Sequence, residues 1–140
     1  MENYNDEFAN KTAIITGAGQ GMGKAVAERL AKGGSKIVVF DVNPDQAEAA
    51  IESLNEYDCE TLAVAGDVTK KEDVEKAVKD TVAQFGQVDI LINNAGVLRP
   101  TAVIDIDEKE WDWVVAVNLK GTFLFSQAVL KIMRKNNWGR

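Results

Sequence analysis

Histidine is absent from the 140 residues, cysteine occurs once, at Cys59, and no apolar run approaches the ~18 residues that would span a bilayer. Without histidine, imidazole acid–base chemistry and His-based metal centres are excluded. A single thiol can neither close an internal disulfide nor join a Cys/His cluster, so the expectation is an intracellular, reduced, metal-free protein. Strong basic stretches are also missing. Sixteen basic residues against twenty-two acidic ones give a net charge of −6, and the densest basic segment is Lys131 to Lys135. That balance argues against a nucleic-acid or anionic-membrane partner and for a small molecule. The N-terminus, Met-Glu-Asn-Tyr-Asn-Asp-Glu, has no basic n-region and no apolar h-region, which points to a soluble cytoplasmic chain. No linker, repeat or low-complexity tract interrupts the sequence. Residues 1–140 therefore read as one domain with a flexible extension over 1–10, large enough to bury roughly 68% of its unfolded surface.

What is present is an alternation. Short apolar runs at Thr12 to Thr16, Lys36 to Phe40, Thr61 to Ala65 and Val88 to Asn93 are bounded by Gly, Asp or Asn, as suits strands buried on both faces. The helices between them carry their own boundary signals. Asn43-Pro44 reads as an N-cap with proline at the first helical position, Thr69-Lys70-Lys71-Glu72 as a capping box, and Gly33-Gly34 and Gly86 as helix stops. Four such units predict an α/β fold, a doubly wound parallel sheet with helices on both faces. The segment from Asp107 to about Asn136 reads as a helix with apolar residues all round, expected to be buried on more than one side, with Trp111 and Trp113 in a core or an interface. A fifth strand is expected to start where Trp138-Gly139-Arg140 closes the chain.

The chemistry gathers at the ends of the strands. Thr16 to Gly23 reads Thr-Gly-Ala-Gly-Gln-Gly-Met-Gly between a strand pattern and a helix pattern that begins at Lys24. Gly17, Gly21 and Gly23 allow a sharp turn that brings N–H groups and a helix N-terminus to a pyrophosphate, with Gly19, Gln20 and Met22 in the same loop. A phosphate loop of the Walker type does not fit, because its first glycine would fall on Ala18 and its metal-binding hydroxyl on Ala25. Asp41, at the end of the second strand, can accept both ribose hydroxyls of an adenosine and would repel a 2′-phosphate, or it can be a strand-end cap. Neither Gln20 nor Val42 supplies a charge to neutralise such a phosphate, so NAD is favoured over NADP. Asp67 and Val68 follow the third strand, where the acid can reach an adenine amino group and the valine can pack on the ring; alternatively Asp67 assists the next helix. Paired amides in Asn93-Asn94-Ala95-Gly96 can tie down neighbouring backbone, while Ala95 and Gly96 leave room for a ribose. Asn118, mid-helix, is either a satisfied core amide or a perturbation of the helix that holds water for a proton relay.

In order and in register, Thr16 to Gly23, Asp41, Asp67-Val68, Asn93 to Gly96 and Asn118 resemble the short-chain dehydrogenase/reductases, over Lys11 to Arg140. The resemblance implies a Rossmann-type sheet with strand order 3-2-1-4, truncated before the fifth strand, and NAD-dependent hydride transfer between nicotinamide and a carbonyl or secondary alcohol. Among relatives it looks like the 3-oxoacyl-carrier-protein reductase and small polyol or diol dehydrogenase types. Of that family's catalytic serine, tyrosine, lysine and asparagine, only the asparagine maps here, to Asn118. Tyr4 is followed four positions on by Phe8, and Tyr57 by Thr61, so neither opens a Tyr-x-x-x-Lys pair. The expectation is the cofactor-binding half of such an oxidoreductase, inactive as these 140 residues and prone to self-association through its last helix and an uncovered fourth strand. A non-catalytic NAD-binding or interaction module is the alternative.

Overall fold

In the computed structural model, which describes residues 8–140, four parallel strands alternate with helices. They are β1 (Thr12–Thr16), α1 (Gly21–Lys32), β2 (Lys36–Asp41), α2 (Pro44–Leu54), β3 (Thr61–Ala65), α3 (Lys71–Phe85) and β4 (Ile90–Ile92). The strand order is β3-β2-β1-β4, so direction across the sheet reverses between β1 and β4. In register, Ile14 lies beside Val38 on one side and Leu91 on the other.

Strand periodicity divides the core. Ile14, Val38, Phe40 and Val64 point to one face, where α3 and the last helix cover them. Ala13, Ile15, Ile37 and Val39 point to the other, under α1 and α2. Phe40 meets Phe125 edge to face with centroids 4.8 Å apart, the favoured arrangement of two ring quadrupoles. Two buried side chains stitch β1 to β4. At the amino end Asp89 accepts the Thr12 N–H at 2.9 Å. At the carboxyl end the Thr16 hydroxyl accepts the N–H groups of Asn94 (3.1 Å) and Ala95 (3.0 Å).

Helix boundaries follow local chemistry, with one correction. Asn43 caps α2, its side chain accepting from Asp45 and Gln46 N–H, with Pro44 leading the helix. The capping box at Thr69 does not form. Lys70 occupies the N-cap position, while the Thr69 N–H and hydroxyl both donate to Asp67 Oδ1, and Asp73 rather than Glu72 reaches back, to the Asp67 N–H. The Asx turn at Asp67 takes up the Thr69 N–H that the Glu72 carboxylate would have accepted in the box.

The last helical segment comprises α4 (Glu108–Val115), a π-helical turn (Ala116–Lys120) and α5 (Gly121–Asn136). Its expected burial on several sides is not observed. Leu124, Phe125, Val129 and Met133 form one buried stripe, while Trp111, Leu119, Phe123 and Leu130 face outward because no described element packs there. By length and composition alone this helix could cross a membrane, with mean hydropathy 1.3 over its most apolar window, but its buried stripe is docked on the sheet as in a core helix. The outer edge of β4 is partly covered: the Arg140 N–H donates to Asp89 O, and Arg140 O accepts the Leu91 N–H, both at 3.0 Å, in the manner of a parallel neighbour. Of the extension expected over 1–10, residues 1–7 lie outside the described residues. Phe8 to Asn10 form a turn in which the Phe8 N–H donates to Gly33 O at 2.7 Å.

Candidate nucleotide-binding site

A cleft of about 500 Å³ opens at the carboxyl ends of the strands, where the strand order reverses. Open parallel sheets place their ligand sites at this switch point, because the two flanking connections leave in opposite directions. Its floor is the glycine turn after β1. Gly17 has φ +62°, and a Cβ there would sit 2.9 Å from Ala95 Cα, so both its conformation and its clearance require glycine. At Gly23 a Cβ would lie 2.5 Å from both Gly17 O and Asn94 Nδ2, which is how α1 packs close against the turn. α1 starts at Gly21, three residues earlier than its apolar pattern suggests, so its first N–H groups belong to the loop.

Asn94 holds this turn in shape. Its side-chain amide donates to Thr16 O at 3.0 Å and Gly17 O at 2.9 Å, and its own N–H is held by the Thr16 hydroxyl. The expectation that the paired asparagines pin neighbouring backbone therefore holds for Asn94. Asn93 only reaches Ser126 Oγ, at 3.2 Å.

Asp41 is 7% exposed, at the rim of the same cleft. Its Oδ2 accepts the Gly19 N–H at 2.8 Å and its Oδ1 the Asn43 N–H at 3.0 Å. Two backbone donors fix the carboxylate and leave lone pairs on both oxygens for a further pair of donors. Gly19 is tied to the acid by this bond, and a Cβ on it would come within 2.8 Å of Oδ2. Gln20, Val42, Asp67, Val68, Ala95 and Gly96 also line the cleft. Gly21 opens α1, and Met22 projects outward at 80% exposure, away from the lining. Both readings of Asp67 are met at once, since it lines the cleft and also closes the Asx turn with Thr69.

Asn118 differs from the core amide envisaged above. It is exposed, lies in the π-helical turn, and clamps Val97 in both directions: Oδ1 accepts the Val97 N–H at 2.8 Å and Nδ2 donates to Val97 O at 2.9 Å. The π turn and the amide coincide, and the pair fixes the loop leaving the cleft. Trp113 was expected in a core or interface; it is 40% exposed and lines the cleft with Val117, one helical turn on. Gln46 also lines the cleft, two residues beyond Pro44 and with its N–H held by the Asn43 cap, a placement that the sequence reading missed.

The cleft is thus assembled from a glycine turn, a buried strand-end acid and a backbone-pinning amide. Residues 11–140 match the family model described as short chain dehydrogenase. The chain belongs to the short-chain dehydrogenase family. Within that family it is 40% identical over 131 residues to the (2S)-[(R)-hydroxy(phenyl)methyl]succinyl-CoA dehydrogenase subunit BbsD of Thauera aromatica, covering 94% of this chain and 53% of that protein. It is 37% identical over 131 residues to the 3-oxoacyl-acyl-carrier-protein reductase FabG of Staphylococcus epidermidis, covering 93% and 54%. Among solved structures, NAD+-bound xylitol dehydrogenase superimposes with a TM-score of 0.92 at 36% identity, covering 96% of this chain and 52% of the other. The chain spans about half the length of the curated relatives it matches.

Proposed function

We propose that this short-chain dehydrogenase chain binds NAD(H) in the switch-point cleft, as the cofactor half of an oxidoreductase acting on a small carbonyl or secondary alcohol. The observation that carries the reading is Asp41: a buried carboxylate at the end of β2, oriented by two backbone N–H donors, with acceptor capacity left on both oxygens. Such a group accepts a vicinal ribose diol and disfavours a 2′-phosphate. Val42 beside it is uncharged, and so is Gln20 in the loop, so no cation offsets that repulsion. NADP is accordingly the weaker ligand.

Gly17, Gly21 and Gly23, with Gly19, Gln20 and Met22, form the pyrophosphate turn. Asp67 and Val68 flank the adenine, and Asn94, Ala95 and Gly96 border the central ribose. The nicotinamide supplies hydride donation or acceptance at its C4 carbon. Asn118 is the one catalytic-relay candidate, acting by holding the Val97 segment. The Tyr-x-x-x-Lys acid–base pair is not found in these 140 residues, so they are expected not to turn over by themselves, general acid work being worth about 10² to 10⁴-fold. A cytoplasmic setting accords with the acidic composition, and the outward Trp111, Leu119, Phe123 and Leu130 support self-association.

The test is a fluorescence titration of the chain with NADH and NADPH, with Asp41→Ala in parallel. NADH should bind more tightly, and the variant should lose ~1.5 to 3 kcal/mol, a charged hydrogen bond's worth. Equal affinity for the two nucleotides, or an unaffected variant, refutes the assignment.

A further inference from the structure

Beyond the cleft, and sharing Trp113 with it, lies a smaller recess of about 260 Å³ bordered by Arg99, Asp107, Lys109 and Glu110. The Arg99 guanidinium lies over the Trp113 ring, 5.0 Å from its centroid. A guanidinium over an indole is attracted by the ring quadrupole, an interaction that needs no anionic partner and leaves N–H donors for one. No ion pair among the described residues engages those donors.

Neither carboxylate of the recess, Asp107 or Glu110, forms an ion pair with Arg99. Asp107 is committed to α4, its Oδ1 accepting the Glu110 N–H at 2.7 Å, and it faces the positive end of that helix. Lys109 and Glu110 are adjacent and opposite in sign. The backbone that presents Arg99 is also fixed: Val97, two residues earlier, is clamped by Asn118, and Pro100 restricts Arg99 to extended conformations. Arg99 is therefore a positioned guanidinium without an ion pair among the described residues, in a recess that it shares with Lys109, Asp107 and Glu110.

We propose that Arg99, seated on Trp113, is the receptor for an anionic group, a carboxylate or a phosphate, on the small molecule that this site acts upon. The proposal rests on the nucleotide reading of the cleft, because the recess shares Trp113 with it. A planar fork matches both anions, and an uncharged polyol offers it only weaker neutral acceptors.

The experiment follows the indole N–H resonance of Trp113, assigned with Trp113→Phe, in the ¹⁵N-labelled 140-residue chain at constant ionic strength. Glucitol, gluconate and glucitol 6-phosphate share one carbon skeleton and differ in charge, and each is titrated with and without NADH. The expected result is a saturable shift with gluconate or glucitol 6-phosphate at affinity at least tenfold above glucitol, the tighter of the two identifying the anion. Arg99→Gln should abolish that preference, and Arg99→Lys should retain only part of it. Equal shifts with glucitol, shifts that survive Arg99→Gln, or no shift with any of the three overturn the proposal. NADH affinity, read in the same samples, tests the nucleotide reading separately, because the anion titration without NADH stands apart from it.

Discussion

Replacing Asn94 by alanine removes the side-chain amide that donates to Thr16 O and Gly17 O, at 3.0 and 2.9 Å. Each partly buried neutral hydrogen bond contributes about 0.5 to 1.5 kcal/mol net, so the pair should be worth about 2 kcal/mol. For a domain of this size, with roughly 4 °C of melting temperature per kcal/mol, the loss corresponds to about 8 °C. The neighbouring Asn93 is the internal control. It makes one exposed bond to Ser126, so Asn93→Ala should cost no more than about 0.5 kcal/mol. Both variants are compared with the parent by thermal and urea unfolding, and NADH affinity is measured on each. Asn94→Ala should lose affinity as well as stability, because the Gly17 turn is left without its brace. If the two adjacent asparagines prove equivalent, or if Asn94→Ala melts within 2 °C of the parent, the reasoning fails.

Gly23→Ala should destabilise the chain by about 1 to 3 kcal/mol, the cost of overpacking, since its Cβ would fall 2.5 Å from Gly17 O; a calorimetric melt checks this. Asn118→Ala should expose the Val97 amide, read as at least tenfold faster hydrogen exchange at that residue, with exchange in β1 unchanged. Burial pushes the Cys59 thiol up from its ordinary value, so less of it is thiolate at neutral pH. Its reaction with a disulfide reagent at pH 8 should be slower in the native chain than in urea, and the native rate should keep rising above pH 9; equal rates would contradict this.

The parallel strands, the strand-end position of Asp41 and the bracing amide of Asn94 were legible because each depends on a local pattern, an apolar run and then a small or polar residue at a fixed place on a strand end. The strand order followed instead from the family resemblance. What escaped was set by tertiary partners. The helix carrying Trp111 to Leu130 has apolar residues all round, and periodicity cannot tell which of them find a neighbour; only the Leu124 to Met133 stripe does. Trp113 faces the cleft because α4 lies across its end, a placement that hydrophobicity does not encode. The Thr69 N–H has one proton to give, and the Asp67 carboxylate accepts it in place of the Glu72 side chain that a capping box would use. Of the two readings of Asn118, the core amide fails and the perturbed helix is met, because the π turn brings the side chain to the surface beside Val97.

The stitching of β1 to β4 by Thr16 and Asp89 has a kinetic corollary. These contacts span 77 to 79 residues, whereas β1 and β2 pair across register partners such as Ile14 and Val38, much closer in the chain. Closing a loop of that length costs about 4 kcal/mol of chain entropy against about 3 for the nearer pair. The half-sheet β3-β2-β1 can therefore assemble before β4 arrives, and Asn94 reaches the glycine turn only at the last pairing. On the proposed nucleotide reading, capture would report finished folding, because an intermediate with Asp41 already in place would still lack the brace that shapes the turn.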